Sequence, residues 1–310
     1  MIESENGQSA GVFYVHNCIL LEAFHYLFAA TQLWTLCLSS VNIIVASESV
    51  RFASKFLQQG DPEPSSDYIT RIYSMRFCPY CDRAIIAAYK KGIQFEVLNI
   101  NLQNKPDWFL SKHPEGTVPL LEHDGKLVPD SRVIIEYLDD AFPETSILPR
   151  EPYLRAKQRY DAIKLDSVCS TIQEVSYLTQ LSGNTTTLAT ELAAAEKLLE
   201  TPFYSGTTPG LPDIILYPFI HRLHVIRQFV RDSFLDDYFP NHFPKLVKWF
   251  IKMRTIPETQ VVREPERHLK AFLISKAKQN ATDFDIHLPG SDIPINRKFL
   301  NDSTVQWHNN

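Results

Sequence analysis

Nowhere in the 310 residues is there a long run of lysine and arginine, and the formal net charge is −5. Phosphate backbones are held by concentrated basic faces, so no nucleic-acid partner is expected. Cysteine is sparse, odd in number and unevenly spread, at Cys18, Cys37, Cys78, Cys81 and Cys169. That pattern excludes a secreted disulfide framework and fits a reducing compartment, with a cytoplasmic location as the expectation. Only Cys78 and Cys81 lie close together. A structural zinc site uses four thiolate or imidazole ligands, usually as two such pairs, so no metal is expected. His221 and His224 stand three apart without an evident third ligand.

Charge is absent altogether between Ala23 and Ser47, and residues 27–46 are long enough to cross a bilayer at ~1.5 Å rise per residue. Against a membrane anchor stand the polar Thr31, Gln32, Ser39, Ser40 and Asn42, and the acidic Glu3 and Glu5 where a secretory signal carries positive charge. An anchor, a disordered leader and a segment read from an incorrect start site all remain open for residues 1–66. If the segment inserts, Arg51 and Lys55 hold the adjoining domain in the cytosol.

The chain does have 44% hydrophobic residues, enough for two modest cores. A polar Pro/Gly/Ser stretch over residues 58–66 reads as a linker. After it, β-branched and aromatic residues at 68–73 predict a strand, and apolar spacing from Pro79 to Lys91 predicts a helix. Next come a strand over 94–101, a short helix over 106–112, a hairpin of 118–122 and 126–128 around Asp124-Gly125, and a helix over 131–141. The predicted order is β-α-β-α-β-β-α over residues 67–149. From 150 to 276 only helical periodicity is found, which predicts an all-α second domain, and residues 277–310 read as a polar, disordered tail.

The chemistry concentrates at Arg76-Phe77-Cys78-Pro79-Tyr80-Cys81. A thiolate is the nucleophile, and the free amides and positive dipole end of a helix N-terminus stabilise it. Pro79 suits the first helical position, which puts Cys78 at the helix start. Cys81, one helical turn on, is placed to resolve a mixed disulfide on Cys78. Two buried, inert cysteines are the plainer reading, but a strand leading directly into Cys-Pro-aromatic-Cys is the context of a thioredoxin-like redox site.

Other residues suit a small peptide partner. A cis Val118-Pro119 bond would turn the Val118 main chain outward to pair with an extended backbone, whereas a trans bond would merely start the strand. Asp130 and Ser131 precede a helix whose N-terminus accepts a carboxylate, or else Asp130 is an ordinary cap. Lys105 is either a carboxylate partner or a solvated surface cation.

Jointly these segments resemble the omega-class glutathione transferases: Arg71-Ile72-Tyr73-Ser74-Met75-Arg76-Phe77-Cys78-Pro79, Asn99-Ile100-Asn101-Leu102, Asn104-Lys105-Pro106-Asp107-Trp108-Phe109, Gly116-Thr117-Val118-Pro119 and Glu136-Tyr137-Leu138-Asp139. The resemblance implies a thioredoxin-like α/β domain joined to a helical one, a homodimer, and glutathione as co-substrate. It implies Cys78 as the cysteine that forms a mixed disulfide with glutathione, and contacts to glutathione from Phe77, Pro79, Lys105, Val118, Pro119, Asp130 and Ser131. It further implies thiol transfer, dehydroascorbate reduction and methylarsonate reduction. Trp249 and Tyr177 are its candidates for the second-substrate pocket. Two departures stand out: Cys81, which makes the segment glutaredoxin-like, and Asp130, where the family carries Glu. The alternatives are a conjugating transferase, in which the glutathione thiolate attacks an electrophile, and a non-catalytic or membrane-associated binding protein of the same fold.

Overall fold

The computed structural model describes residues 55–65, 68–176, 185–230, 232–263 and 266–277. The stretch 27–46, Tyr177 and the tail beyond 277 lie outside them.

Four strands, β1 (Thr70–Ser74), β2 (Glu96–Asn99), β3 (Leu120–His123) and β4 (Lys126–Pro129), form one mixed sheet in the order β2-β1-β3-β4. The central strand β1 is buried along its whole length and runs parallel to β2 and antiparallel to β3. Helices α1 (Pro79–Lys90), α2 (Asp107–Lys112) and α3 (Ser131–Ala141) complete the predicted β-α-β-α-β-β-α order, with α1 packed on α3. The boundaries of the first three strands differ from the predicted ones by a few residues, because their frayed ends carry exposed residues such as Tyr68 and Ile69.

Packing begins earlier than the polar linker suggested. Phe56 is 2% exposed, Leu57 bridges Ile100 beside β2, and the Trp108 indole donates to the Asp61 carbonyl. The two apolar side chains before Gln58 are thus part of the sheet domain.

The crossing to the helical part is fixed by a buried carboxylate. Asp139 accepts from the Lys91 ammonium, the Ile147 N–H and the Arg155 guanidinium. Beyond it run α4 (Pro152–Val175), α5 (Thr185–Leu198), α6 (Leu211–Arg227), a π-turn (Phe234–Tyr238) leading into α7 (Phe239–His242), then α8 (Pro244–Met253), α9 (Pro257–Gln260) and α10 (Glu266–Ala277). Helix α6 is the axis of this part: it packs on α4 along most of its length and also on α1. Among the described residues no helix is long and apolar enough to cross a membrane.

The start of α6 shows why the chain turns there. Asp213, fully buried, accepts from the N–H groups of Tyr204, Ser205 and Gly210 and from the Trp249 indole. Four donors converge on one carboxylate, which thereby caps the helix and ties down the loop before it. Gly210 is required for the approach, since a Cβ there would lie 2.5 Å from the Ser205 hydroxyl and 2.7 Å from the Ile147 carbonyl.

Candidate active site

Register alone gathers the candidate residues at one end of the sheet. Strand β1 ends at Ser74 beside Asn99, the end of β2, while Tyr73 pairs with Leu120 and Leu120 pairs with Pro129. The loop to Cys78, the Lys105 loop after β2, Val118-Pro119 before β3 and Asp130-Ser131 after β4 therefore all leave from that end. The Val118-Pro119 bond is cis. Lys105 reaches across to the same loop, its ammonium lying beside Gly116 at φ +62.

Cys78 is the N-cap of α1, with extended backbone at φ −88 and ψ 118, and Pro79 opens the helix. Both cysteines are free thiols: Cys78 is 7% exposed and Cys81 wholly buried. The Cys81 thiol, then the Cys81 main-chain N–H and the Arg222 guanidinium, favour the Cys78 anion and, against burial, hold its thiol below the ordinary thiol range. The neighbours push Cys81 the other way. Burial first, then the adjacent Cys78 sulfur, raises its thiol well above the usual value. One sulfur is thus disposed to be a thiolate and the other a protonated donor to it.

Asp130 caps α3, one carboxylate oxygen accepting from the Arg132 N–H at 2.8 Å and the Val133 N–H at 3.1 Å. It does so from φ 68, a left-handed backbone rarely adopted outside glycine. Two helix-end donors expected to face a ligand are therefore already satisfied by Asp130 itself. Ser131 is buried and its hydroxyl accepts from Arg83, which also binds the Ile215 carbonyl and the Asp166 carboxylate. Asp130, Ser131, Tyr80 and Arg83 line a cleft of about 720 Å³ between α3 and α4.

Trp249 lies in the core. It is 1% exposed, stacked edge-on to Tyr204 at 5.6 Å, and its indole N–H is taken by Asp213 at 2.8 Å. Its expected role at the second substrate is corrected to a core role, because that hydrogen bond turns the ring toward the α6 cap. Tyr177 lies outside the described residues. His221 and His224 face Glu266 at 3.9 and 3.7 Å, with the Arg254 guanidinium bonded to the same carboxylate.

Sequence reasoning did not single out Arg222 and Phe272, which pack around the Cys78 loop. Arg222, 2% exposed, donates to the Phe77 carbonyl. Phe272 on α10, wholly buried, stacks on Phe77 at 4.5 Å, and Tyr80 meets Phe219 edge-on at 5.1 Å. The signal for Arg222 was available: it is the one Lys or Arg in the largely apolar run from Ile214 to Ile226, where a cation is seldom buried without purpose.

Residues 72–146 match the family model of the glutathione S-transferase N-terminal domain. The chain is 37% identical over 245 residues to glutathione transferase omega-1 of Caenorhabditis elegans, covering 76% of this chain and 97% of that protein. It is 40% identical over 226 residues to a probable glutathione transferase omega-2 of Caenorhabditis briggsae, with 68% and 88% covered. Among solved structures, a tau-class glutathione S-transferase of mango, Mangifera indica, superposes with a TM-score of 0.60 at 25% identity, over 67% of this chain and 98% of that one. Fold and family match together define a glutathione transferase. More narrowly, identity at this level and coverage makes the chain a member of the omega class.

Proposed function

We propose that this omega-class chain is a glutathione-dependent thiol transferase and reductase that works through a mixed disulfide between Cys78 and glutathione. The observation that carries the reading is the Cys78 sulfur at the head of α1, with its thiol held below the ordinary range. The Cys78 thiolate attacks the glutathionyl sulfur of a mixed disulfide R–S–S–G. A Cys78–S–S–G bond forms, the old S–S bond breaks, and R–S⁻ leaves and takes a proton. A second glutathione thiolate then attacks that glutathionyl sulfur, releasing oxidised glutathione and restoring the Cys78 thiolate. The net reaction consumes one free glutathione for each R–S–S–G reduced, the other half of the oxidised glutathione being the substrate's own glutathionyl group. A symmetric small disulfide, dehydroascorbate or methylarsonate takes two glutathiones to one oxidised glutathione overall, with the same second step closing the cycle. Cys81, its thiol raised and protonated, serves first as a hydrogen-bond donor to Cys78 and is the candidate resolving thiol.

In this reading glutathione lies along the end of the sheet. Its cysteinyl backbone pairs with Val118 beside Pro119, and Phe77 and Pro79 border the sulfur. The γ-glutamyl ammonium meets Asp130 through the oxygen not used in the cap, its carboxylate meets Ser131, and the glycyl carboxylate meets Lys105. The protein works as a homodimer.

Substituting Cys78→Ser tests the mechanism. Thiol transfer and the mass increase of one glutathione after treatment with oxidised glutathione are expected to vanish, while any conjugation of electrophiles persists or rises. Thiol transfer that survives in Cys78→Ser would sink the mechanism and favour conjugation by glutathione's own thiolate. Loss of neither activity, because neither is present in the parent, would favour a binding protein.

A further inference from the structure

Arg222 is a cation in an uncommon position. Its residue is 2% exposed, one terminal nitrogen (Nη2) donates to the Phe77 carbonyl, and the other (Nη1) is buried without a hydrogen-bond partner. Among the described residues it forms no ion pair with a carboxylate, unlike the buried Arg83, which holds Asp166 at 2.9 Å. A buried guanidinium is costly unless an anion offsets it. The Phe77 carbonyl that it holds belongs to the peptide group leading directly into Cys78, so the guanidinium is anchored one residue from the thiol.

We propose that Arg222, delivered from α6, is the counter-ion of the Cys78 thiolate: one arm fixes the Phe77 carbonyl and so the loop that aims the sulfur, and the charge stabilises the anion. Arg222 is in these terms a positioning residue. The proposal rests on the reading of Cys78 as the nucleophile and goes beyond it by assigning the thiolate's charge partner to the helical part of the chain. A helix N-terminus and a thiol donor belong to α1 alone, whereas this partner arrives from 144 positions further along the sequence, the separation of 222 from 78.

The other groups that face the Cys78 sulfur are accounted for. From α1 come the Cys81 thiol, the Asp82 carboxylate, which opposes the anion, and the Tyr80 phenol, which feels the same sulfur. From α10 the neighbour of Phe77 is Phe272, which carries no charge. Arg76, in the same loop, stands over the Phe56 and Phe77 rings at 5.2 and 6.0 Å, and among the described residues Arg222 is the cation that acts on this sulfur against Asp82.

The test is the pH profile of Cys78 alkylation by iodoacetamide in the full chain, read by mass on the peptide that contains Cys78, with Cys81→Ala as the background. In alkylation the thiolate forms the S–C bond and iodide leaves, so the rate follows the thiolate fraction. Arg222→Met is expected to raise the midpoint by about one pH unit, cutting the rate at pH 6 about tenfold. Arg222→Lys, which keeps the charge, is expected to recover most of it. A residue that only anchored the Phe77 carbonyl would lower stability and leave the midpoint where it was. An unmoved midpoint in folded Arg222→Met, or a lysine variant no better than methionine, overturns the proposal.

Should Arg222→Met not fold, the melting temperatures of the parent and of Cys78→Ser across pH carry the same question. A thiol whose folded value is depressed contributes stability above its unfolded value and loses it as pH falls through the folded one. The gap is expected to widen from pH 5 to pH 9 in the parent, and to widen less when the same pair is compared in an Arg222→Gln background, which removes the charge but keeps an N–H donor for the Phe77 carbonyl; equal widening in the two backgrounds overturns the proposal. Alkylation needs no glutathione. A chain that alkylates as expected but forms no mixed disulfide with oxidised glutathione retires the proposed function and leaves the role of Arg222 standing, and the opposite pattern does the reverse.

Discussion

Asp213 and Trp249, far apart in the sequence, take their roles from each other. A pocket role for Trp249 is a natural expectation, because an aromatic residue at helical spacing carries no mark of what it faces. In three dimensions it completes the shell of donors around the buried Asp213. Trp249→Phe keeps the ring and removes the N–H, leaving that carboxylate short of one donor. The expected cost is about 2 kcal/mol of unfolding free energy by denaturant titration, the scale of a hydrogen bond to a charged group. The rate of mixed-disulfide formation at Cys78 is expected to stay the same. A change in KM for the second substrate with stability intact would return Trp249 to the pocket. Cys78, by contrast, was legible from residues alone, because Pro79 and the preceding strand fix the helix start locally. The isomer of Val118-Pro119 was not, since both forms were compatible with the residues around it.

At the scale of elements, the sheet and its three helices were legible because alternation, Asp124-Gly125 and the Asp130 cap are short-range signals. Helix α10 was legible only as the end of the helical stretch 150–276, because only Leu269, Lys270, Phe272 and Leu273 of its residues are buried. Its docking depends on partners distant in sequence. Phe272 closes over Phe77, and Glu266 at its start gathers His221, His224, Gln228 and Arg254. The His221 side chain, then Gln228, His224 and Arg254, hold the Glu266 carboxyl down to about 2. Burial, then Arg254, pushes His224 down to about 4. A carboxylate so depressed contributes stability above its ordinary value of about 4.5 and loses it as pH falls toward about 2. His224, docked neutral, loses its contribution as pH falls from 6.5 toward about 4. Glu266→Gln is expected to melt below the parent at pH 7, with the difference shrinking at pH 4 and again at pH 3. A difference constant over that range would mean that this carboxylate does not hold α10.

On the scale of the whole molecule, a group of apolar side chains stands exposed among the described residues. Along α4, Tyr153, Leu154, Tyr160 and Ile163 are 73, 48, 57 and 52% exposed, and Val133 on α3 is 53% exposed. Apolar side chains grouped in this way mark an interaction surface, and this face is the one on which the proposed homodimer is tested. Ile163→Glu is expected to shift the mass measured by sedimentation from that of two chains to that of one; a dimer unaffected by it would place the contact elsewhere. No local signal in the sequence could reveal this face, because exposure is a property of the assembled helices rather than of their periodicity.

The surroundings of Cys78 are drawn from positions 77, 81, 222 and 272. A ribosome releases the first pair together and the others only after most of the described chain has emerged. Until α6 and α10 have been made and have docked, the nascent protein carries its cysteine without the buried guanidinium and without the aromatic cover. The proposed nucleophile is therefore complete only after residues 222 and 272 have been made and have docked.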